Sequence, residues 1–199
     1  MTKIKLCGLT RPYDIEYANA LLPEYIGFVF APKSKRYVSP QKAEKLRIIL
    51  DRRITPVGVF ADEKIEAVSD LVKYQIIDVV QLHGNESEQY IADLRKAIAC
   101  PIIKAFRIES AADIINANSS SADYVLLDSG GGTGTAFDHS LIQGITRPYF
   151  LAGGLTPENV GTAVKTLHPY AVDASSSLET DGFKDKNKMT AFVKAVRKD

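Results

Sequence analysis

From Lys3 onward the chain repeats one pattern. A short run rich in β-branched and apolar residues is followed by a turn, then by a stretch whose apolar residues recur at helical spacing. The runs are Lys3–Leu6, Tyr25–Val29, Thr55–Phe60, Val79–Leu82, Ile102–Phe106, Tyr124–Leu127, Tyr149–Ala152 and Ala171–Asp173. The helical stretches are Tyr13–Leu22, Gln41–Asp51, Lys64–Tyr74, Ser87–Ala99, Ala111–Asn118, Glu158–Thr166 and Lys186–Arg197. Between the sixth and seventh runs the helical pattern is short, near His139–Gly144. Ala43, Leu46 and Leu50 fall on one face of their helix. Ser39-Pro40 and Thr156-Pro157 each read as an N-cap followed by proline at the first helical position. Ser87 precedes an acidic first turn, which suits the helix dipole.

Strict alternation of strand and helix predicts parallel strands joined by right-handed crossovers. Eight units at about 25 residues each reach the compact limit of a (β/α)8 TIM barrel, roughly 200 residues. No dinucleotide fingerprint follows the first run, which disfavours a doubly wound open sheet. The expectation is one α/β barrel domain over residues 1–199. Alternation along a strand puts Lys5 with Cys7, Val79 with Gln81 and His83, Lys104 with Phe106, and Leu126 with Asp128. These polar groups are expected on the inner face, either as a satisfied polar layer (Lys5, Gln81, Lys104) or as working groups.

Composition narrows the function. Lys plus Arg number 25 against 24 for Asp plus Glu, a net charge of +1. A nucleic-acid binder usually carries a basic excess or stripe, so a small ligand is expected and no nucleic acid. No charged leader precedes a long apolar run, and no stretch has the length of a membrane span. A cytoplasmic protein with no membrane partner is therefore expected. Two cysteines, Cys7 and Cys100, make no disulfide framework, and Cys100 before Pro101 sits at the opposite rim from Cys7.

In such a barrel the chemistry gathers at the C-terminal ends of the strands and in the loops after them. Those positions hold Cys7, Arg36, His83, Asp128, Gly153, Gly154, Asp173 and Ser175–Ser177. Cys7 is either a small buried side chain or a base at the rim, and Lys5 one layer below would favour its thiolate. Asp128 either caps a turn or faces Cys7 across the mouth as the acid of a base–acid pair. Arg36 belongs to a solvated basic loop or grips a carboxylate with its planar fork. Gly153-Gly154 and Ser175–Ser177 follow strands seven and eight, where barrels frequently bind phosphate. Gly130–Gly134 beside Asp128 is a flexible loop or a mobile lid.

These motifs resemble a known family. Lys5-Leu6-Cys7-Gly8-Leu9-Thr10-Arg11 is similar to the opening motif of phosphoribosylanthranilate isomerases. Gly27–Val38, Val57–Phe60, Val80–Gly84, Lys104–Arg107, Leu127–Ser129, Gly131–Gly134 and Leu151–Val160 resemble further blocks in the same order. The resemblance covers almost the whole chain. It implies conversion of N-(5-phosphoribosyl)anthranilate to 1-(2-carboxyphenylamino)-1-deoxyribulose 5-phosphate in tryptophan biosynthesis. This is an Amadori rearrangement, an internal redox that needs no cofactor and no metal. It also implies roles: Cys7 as general base at ribose C2, Asp128 as general acid at the ring oxygen, and Arg36 on the anthranilate carboxylate. Gly153, Gly154, Ser175, Ser176 and Ser177 would hold the phosphate, and His83 and Asp173 would touch the phosphosugar.

Three departures from the family pattern stand out. Thr135-Ala136 replace a usual Lys-Thr and His139 stands in place of a tryptophan, which bears on substrate affinity or loop closure; Ser177 stands in place of a glycine, so a somewhat altered phosphate loop is expected. The nearest rival is the sister isomerase of histidine biosynthesis, which uses Asp instead of Cys as the base at the end of the first strand. A non-catalytic phosphosugar-binding protein on the same fold is the rival from another class. Monomer and homodimer are both compatible with the sequence.

Overall fold

In a computed structural model, which describes residues 1–128, 142 and 144–198, eight parallel strands pair in sequential order and close into a barrel. The strands are β1 (Lys3–Cys7), β2 (Tyr25–Val29), β3 (Thr55–Phe60), β4 (Val79–Leu82), β5 (Ile102–Arg107), β6 (Tyr124–Asp128), β7 (Tyr149–Ala152) and β8 (Ala171–Ala174). Helices α1 (Pro12–Leu21), α2 (Pro40–Ile48), α3 (Ile65–Lys73), α4 (Glu88–Ala97) and α5 (Ala111–Ser119) follow β1 to β5 in turn. Helix α6 (Val160–Leu167) follows β7, and α7 (Lys186–Arg197) follows β8. The expected lid Gly130–Gly134, Thr135-Ala136 and His139 lie outside the described residues, as does all but Ile142 and Gly144 of the expected helical piece near His139–Gly144. Among the described residues no helix is long and apolar enough to cross a membrane.

Local chemistry explains the element boundaries. Ser39 caps α2 by accepting from the Lys42 amide, and Ser87 caps α4 through Tyr90. Thr156-Pro157 corrects an expectation. Asn159 is the N-cap of α6, and its Oδ1 accepts from the Thr156 amide at 2.8 Å. Pro157 therefore sits in a turn ahead of the helix, and Thr156 is tied into that turn by a side chain three residues on. After β8 the chain makes a 3-10 turn (Ser176–Leu178) and a two-stranded hairpin, β9 (Glu179–Thr180) and β10 (Phe183–Lys184). Two residues per strand is too short for period-two patterning to register.

The barrel has two faces with separate contents. Ile4 and Leu6 point outward into the core shared with the helices. Inside, Val57, Val79, Ile103, Leu126, Phe150 and Ala171 form an apolar cluster. Tyr25, Tyr124 and Tyr170 pack around Phe150 with ring centroids 5.5–5.8 Å from it. Their hydroxyls meet one another, and Lys3 Nζ donates to Tyr170 Oη at 2.7 Å. This is a packed floor at the N-terminal end. Above it come Lys5, Gln81 and Asp173, then Cys7, His83 and Asp128 at the strand ends. Lys104 is a second correction. Ile103 faces inward, so alternation turns Lys104 outward, where its ammonium donates to Glu86 Oε2 at 2.8 Å and to the Gly84 carbonyl at 2.7 Å. It braces the loop after β4 and takes no part in the inner layer.

Candidate active site

One cavity of about 350 Å3 opens at the C-terminal ends of the strands. Cys7, Arg36, His83, Asp128, Gly153, Gly154, Asp173, Ser175, Ser176 and Ser177 all line it, so the fold brings together every site residue expected from the sequence. Each arrives on a strand end or the loop after it: β1 presents Cys7, β4 His83, β6 Asp128 and β8 Asp173. The loop after β2 supplies Arg36.

At the centre, Lys5 Nζ lies 2.9 Å from Asp173 Oδ2, and both residues are buried. Neighbouring strands β1 and β8 set this contact, because Lys5 and Asp173 are register partners. Burial alone would discharge Lys5, yet Asp173 and Cys7 hold its ammonium above the usual lysine range. Cys7 goes against expectation. Burial pushes its thiol above the ordinary cysteine value, and the negative Asp173 adds to this; Lys5 and Lys184 pull down and lose. The physical reason is burial: in so dry a site the neutral thiol is favoured even with the Lys5 ammonium beside it. A resting thiol and a strong base result.

Space for the sulfur comes from Gly27 on the adjacent strand. A Cβ built there would lie 2.6 Å from Cys7 Sγ and 3.2 Å from its Cα. Gly27→Ala is therefore expected to shift the sulfur and lower kcat about 10²-fold, as misplacement on the ångström scale does. Steady-state kinetics beside a melting curve will check this, and wild-type kcat in a well-folded variant would refute it. Gly8, at φ +79°, makes room in the same way for the Arg36 side chain.

On the far side, Gln81 Nε2 lies 3.0 Å from His83 Nδ1, and His83 Nε2 lies 3.6 Å from Asp128 Oδ2. With the Gln81 amide donating, Nδ1 accepts, and a neutral His83 carries its proton on Nε2, toward Asp128. Gln81 Oε1 and Asp173 Oδ1 are buried acceptors without a hydrogen-bond partner among the described residues. At the phosphate-loop side, Gly153 and Gly154 take φ values of +87° and +64°, which glycine adopts without strain. Ser177 lies in the 3-10 turn and adopts no positive φ.

The sequence reading missed the neighbours of Arg36. Its Nε and Nη2 donate to Glu179 Oε1 and Oε2 at 2.6 and 2.8 Å. Lys184, buried, donates to Glu179 Oε1 at 2.6 Å and to the Ser175 carbonyl at 2.9 Å. Glu179 lies two residues after the serine run, but nothing local marks its partners. Cys100 is a free thiol at the other end of the barrel, before β5. Among the described residues, no three His, Cys, Asp or Glu side chains are grouped to hold a metal ion.

Comparison with known proteins fits this geometry. The profile of the N-(5'-phosphoribosyl)anthranilate (PRA) isomerase family matches residues 4–195. An N-(5'-phosphoribosyl)anthranilate isomerase of Endomicrobium trichonymphae is 44% identical over 202 residues, 99% of each chain. A phosphoribosylanthranilate isomerase crystallised with reduced 1-(o-carboxyphenylamino)-1-deoxyribulose 5-phosphate superposes with a TM-score of 0.87 at 33% identity, covering 100% of both chains. Engineered monomers of the dimeric Thermotoga maritima enzyme superpose with a TM-score of 0.88 at 33% identity, again over 100% of both chains.

Proposed function

Because the chain belongs to the N-(5'-phosphoribosyl)anthranilate isomerase family, and so converts phosphoribosylanthranilate to 1-(2-carboxyphenylamino)-1-deoxyribulose 5-phosphate in tryptophan biosynthesis, we propose that Cys7 and Asp128 are its base and acid. The observation that carries this reading is that the two line one cavity from β1 and β6, with no other cysteine near it. Asp128 gives a proton to the furanose ring oxygen. The anilino nitrogen lone pair forms C1=N as the C1–O bond breaks. The iminium acidifies C2, and the Cys7 thiolate takes the C2 proton, leaving an enolamine. That enolamine becomes the ketone by gaining a proton at C1 and losing one from the C2 hydroxyl. C2 is oxidised and C1 reduced within one molecule, so the chemistry calls for no external redox partner.

The cation formed at C1 also offsets the cost of a buried thiolate. The resting thiol is costly to ionise; beside an iminium it is less so. Asp173 and His83 are assigned to substrate contact, supported by the unpartnered Asp173 Oδ1. The backbone of Gly153-Gly154 and of Ser175–Ser177 is assigned to the phosphate, where N–H groups can meet an anion closely. The ligand is a phosphosugar. We place the enzyme in the cytoplasm, and a homodimer is favoured over a monomer by the dimeric Thermotoga maritima relative.

Arg36 is assigned to the anthranilate carboxylate. Its Nη1 has no protein partner among the described residues, and the cavity it lines also has the apolar side chains of Val29 and Ala31 on its wall. Lysine is a point charge and cannot present this fork. Arg36→Lys is therefore expected to raise KM about tenfold while kcat stays within a few fold, the pattern of lost ground-state binding. Saturation kinetics decide: an unchanged KM removes Arg36 from this role.

A further inference from the structure

The hairpin after β8 has no part in the chemistry above, yet it meets the site at two places. Glu179, in β9, takes both Nε and Nη2 of Arg36 in a bidentate pair. Lys184, in β10, is buried, and its ammonium joins Glu179 Oε1 to the Ser175 carbonyl. Thr180 and Phe183, Glu179 and Lys184 are the register partners of this hairpin, so one carboxylate and one ammonium are brought face to face by a four-residue ladder. The hairpin is itself anchored: Arg11 Nη2 donates to the Lys184 carbonyl at 2.8 Å, and the Arg11 guanidinium stacks on the Phe183 ring. Arg36 comes from a loop on the other side of β1, with its stem crossing over Gly8. A long side chain from a loop loses much rotamer freedom when it is fixed. Here that fixing is done in the protein itself, before any ligand arrives.

We propose that Glu179, held in place by Lys184, is a positioning residue that aims Arg36 at the substrate carboxylate and so sets selectivity for the anthranilate end of the substrate. The inference rests on the assignment of Arg36 to that carboxylate. Glu179 uses one edge of the guanidinium, Nε and Nη2, and leaves Nη1 as the edge for a second anion. Two cations around one carboxylate also leave a net positive charge beside the cavity, which suits an anionic substrate. Without Glu179, Arg36 and Lys184 would repel each other and Arg36 would sample many rotamers.

The test uses two ligands and calorimetric binding to the whole protein. One is reduced 1-(o-carboxyphenylamino)-1-deoxyribulose 5-phosphate; the other is its analogue made from aniline, identical but without the carboxylate. Wild type binds the first more tightly, and the ratio of the two dissociation constants is the selectivity. In Glu179→Ala that ratio is expected to fall about tenfold, almost wholly through the carboxylate ligand, because a mobile guanidinium must be ordered on binding. Glu179→Gln keeps an oxygen for Nε and is expected to recover part of it. If Glu179→Ala does not fold, Glu179→Gln alone decides, with a ratio intermediate between wild type and Arg36→Met expected. A ratio equal to wild type, a ratio that rises because Arg36 is set free, or an equal weakening of both ligands would each overturn the proposal. Arg36→Met separates the two levels. If Arg36→Met leaves the ratio unchanged, the assignment of Arg36 itself has failed; if it abolishes the ratio while the Glu179 variants keep it, only the role of Glu179 has.

Discussion

Cys7→Ser is expected to lower kcat about 10²- to 10⁴-fold, the range that a positioned proton-transfer group contributes. Serine keeps the size and place of the side chain but is far harder to ionise than a thiol. The loss is therefore one of basicity. Binding of the reduced product analogue is expected to change little, since no contact to carboxylate or phosphate is assigned to the sulfur. The fold should hold as well, because Lys5 keeps its partner Asp173 and no buried charge is orphaned. The decisive measurement is turnover of phosphoribosylanthranilate, followed by loss of its fluorescence, on a variant shown by melting to be folded. Activity within about tenfold of wild type would mean that another group removes the C2 proton, since even the low end of the expected range exceeds that.

The second large effect belongs to Asp128→Asn, again with a loss of about 10²- to 10⁴-fold. It carries a sharper signature in pH. The reacting enzyme needs a thiolate at Cys7 and a proton on Asp128, one proton between the two. The resting form holds the same single proton the other way round, on the thiol. Both forms have the same proton count, so their ratio does not change with pH. Wild-type kcat/KM is thus expected to be flat through neutral pH and to fall on the alkaline side only when that single proton leaves. Burial places that alkaline limb above the ordinary cysteine value. In Asp128→Asn only the thiolate is required, and water is left as the proton donor. The profile should then rise with pH, about tenfold per unit, until the thiol is ionised. A flat profile in the variant at neutral pH would contradict the acid role of Asp128 or the base role of Cys7.

Much of the barrel was legible because its signals are local. All eight strands announce themselves as apolar runs, and the caps Ser39 and Ser87 act on amides three residues away. The shared rim position of the candidate site residues was legible for a related reason: in a barrel, the end of a strand is a place on one rim, so position along the chain becomes position in space. What the sequence concealed is set by distant partners. Lys104 follows the same alternation as its neighbours, and only the contact with Glu86 in the next loop reveals which way it points. Thr156-Pro157 has the composition of a cap, yet Asn159 claims that duty. Lys5 was read as an activator of Cys7 because the two are adjacent on one strand face. The structure reverses this because burial of the sulfur outweighs Lys5, with Asp173 adding its negative charge from across the barrel seam. Glu179 and Lys184 belong to the same class, a network in which Arg36 and Glu179 lie 143 residues apart.

That seam has a consequence in time. Cys7 lies near the start of the chain, and the groups that define its environment, Asp173, Ser175 and Lys184, lie near the end. A ribosome would release the proposed base first and its electrostatic setting last. Until β8 emerges, β1 has one unpaired edge and Lys5 has no counter-charge, since its partner is 168 residues downstream. The nascent enzyme is thus obliged to stay inert while it is being made, and catalysis becomes a report that the final quarter of the polypeptide has arrived and closed the ring.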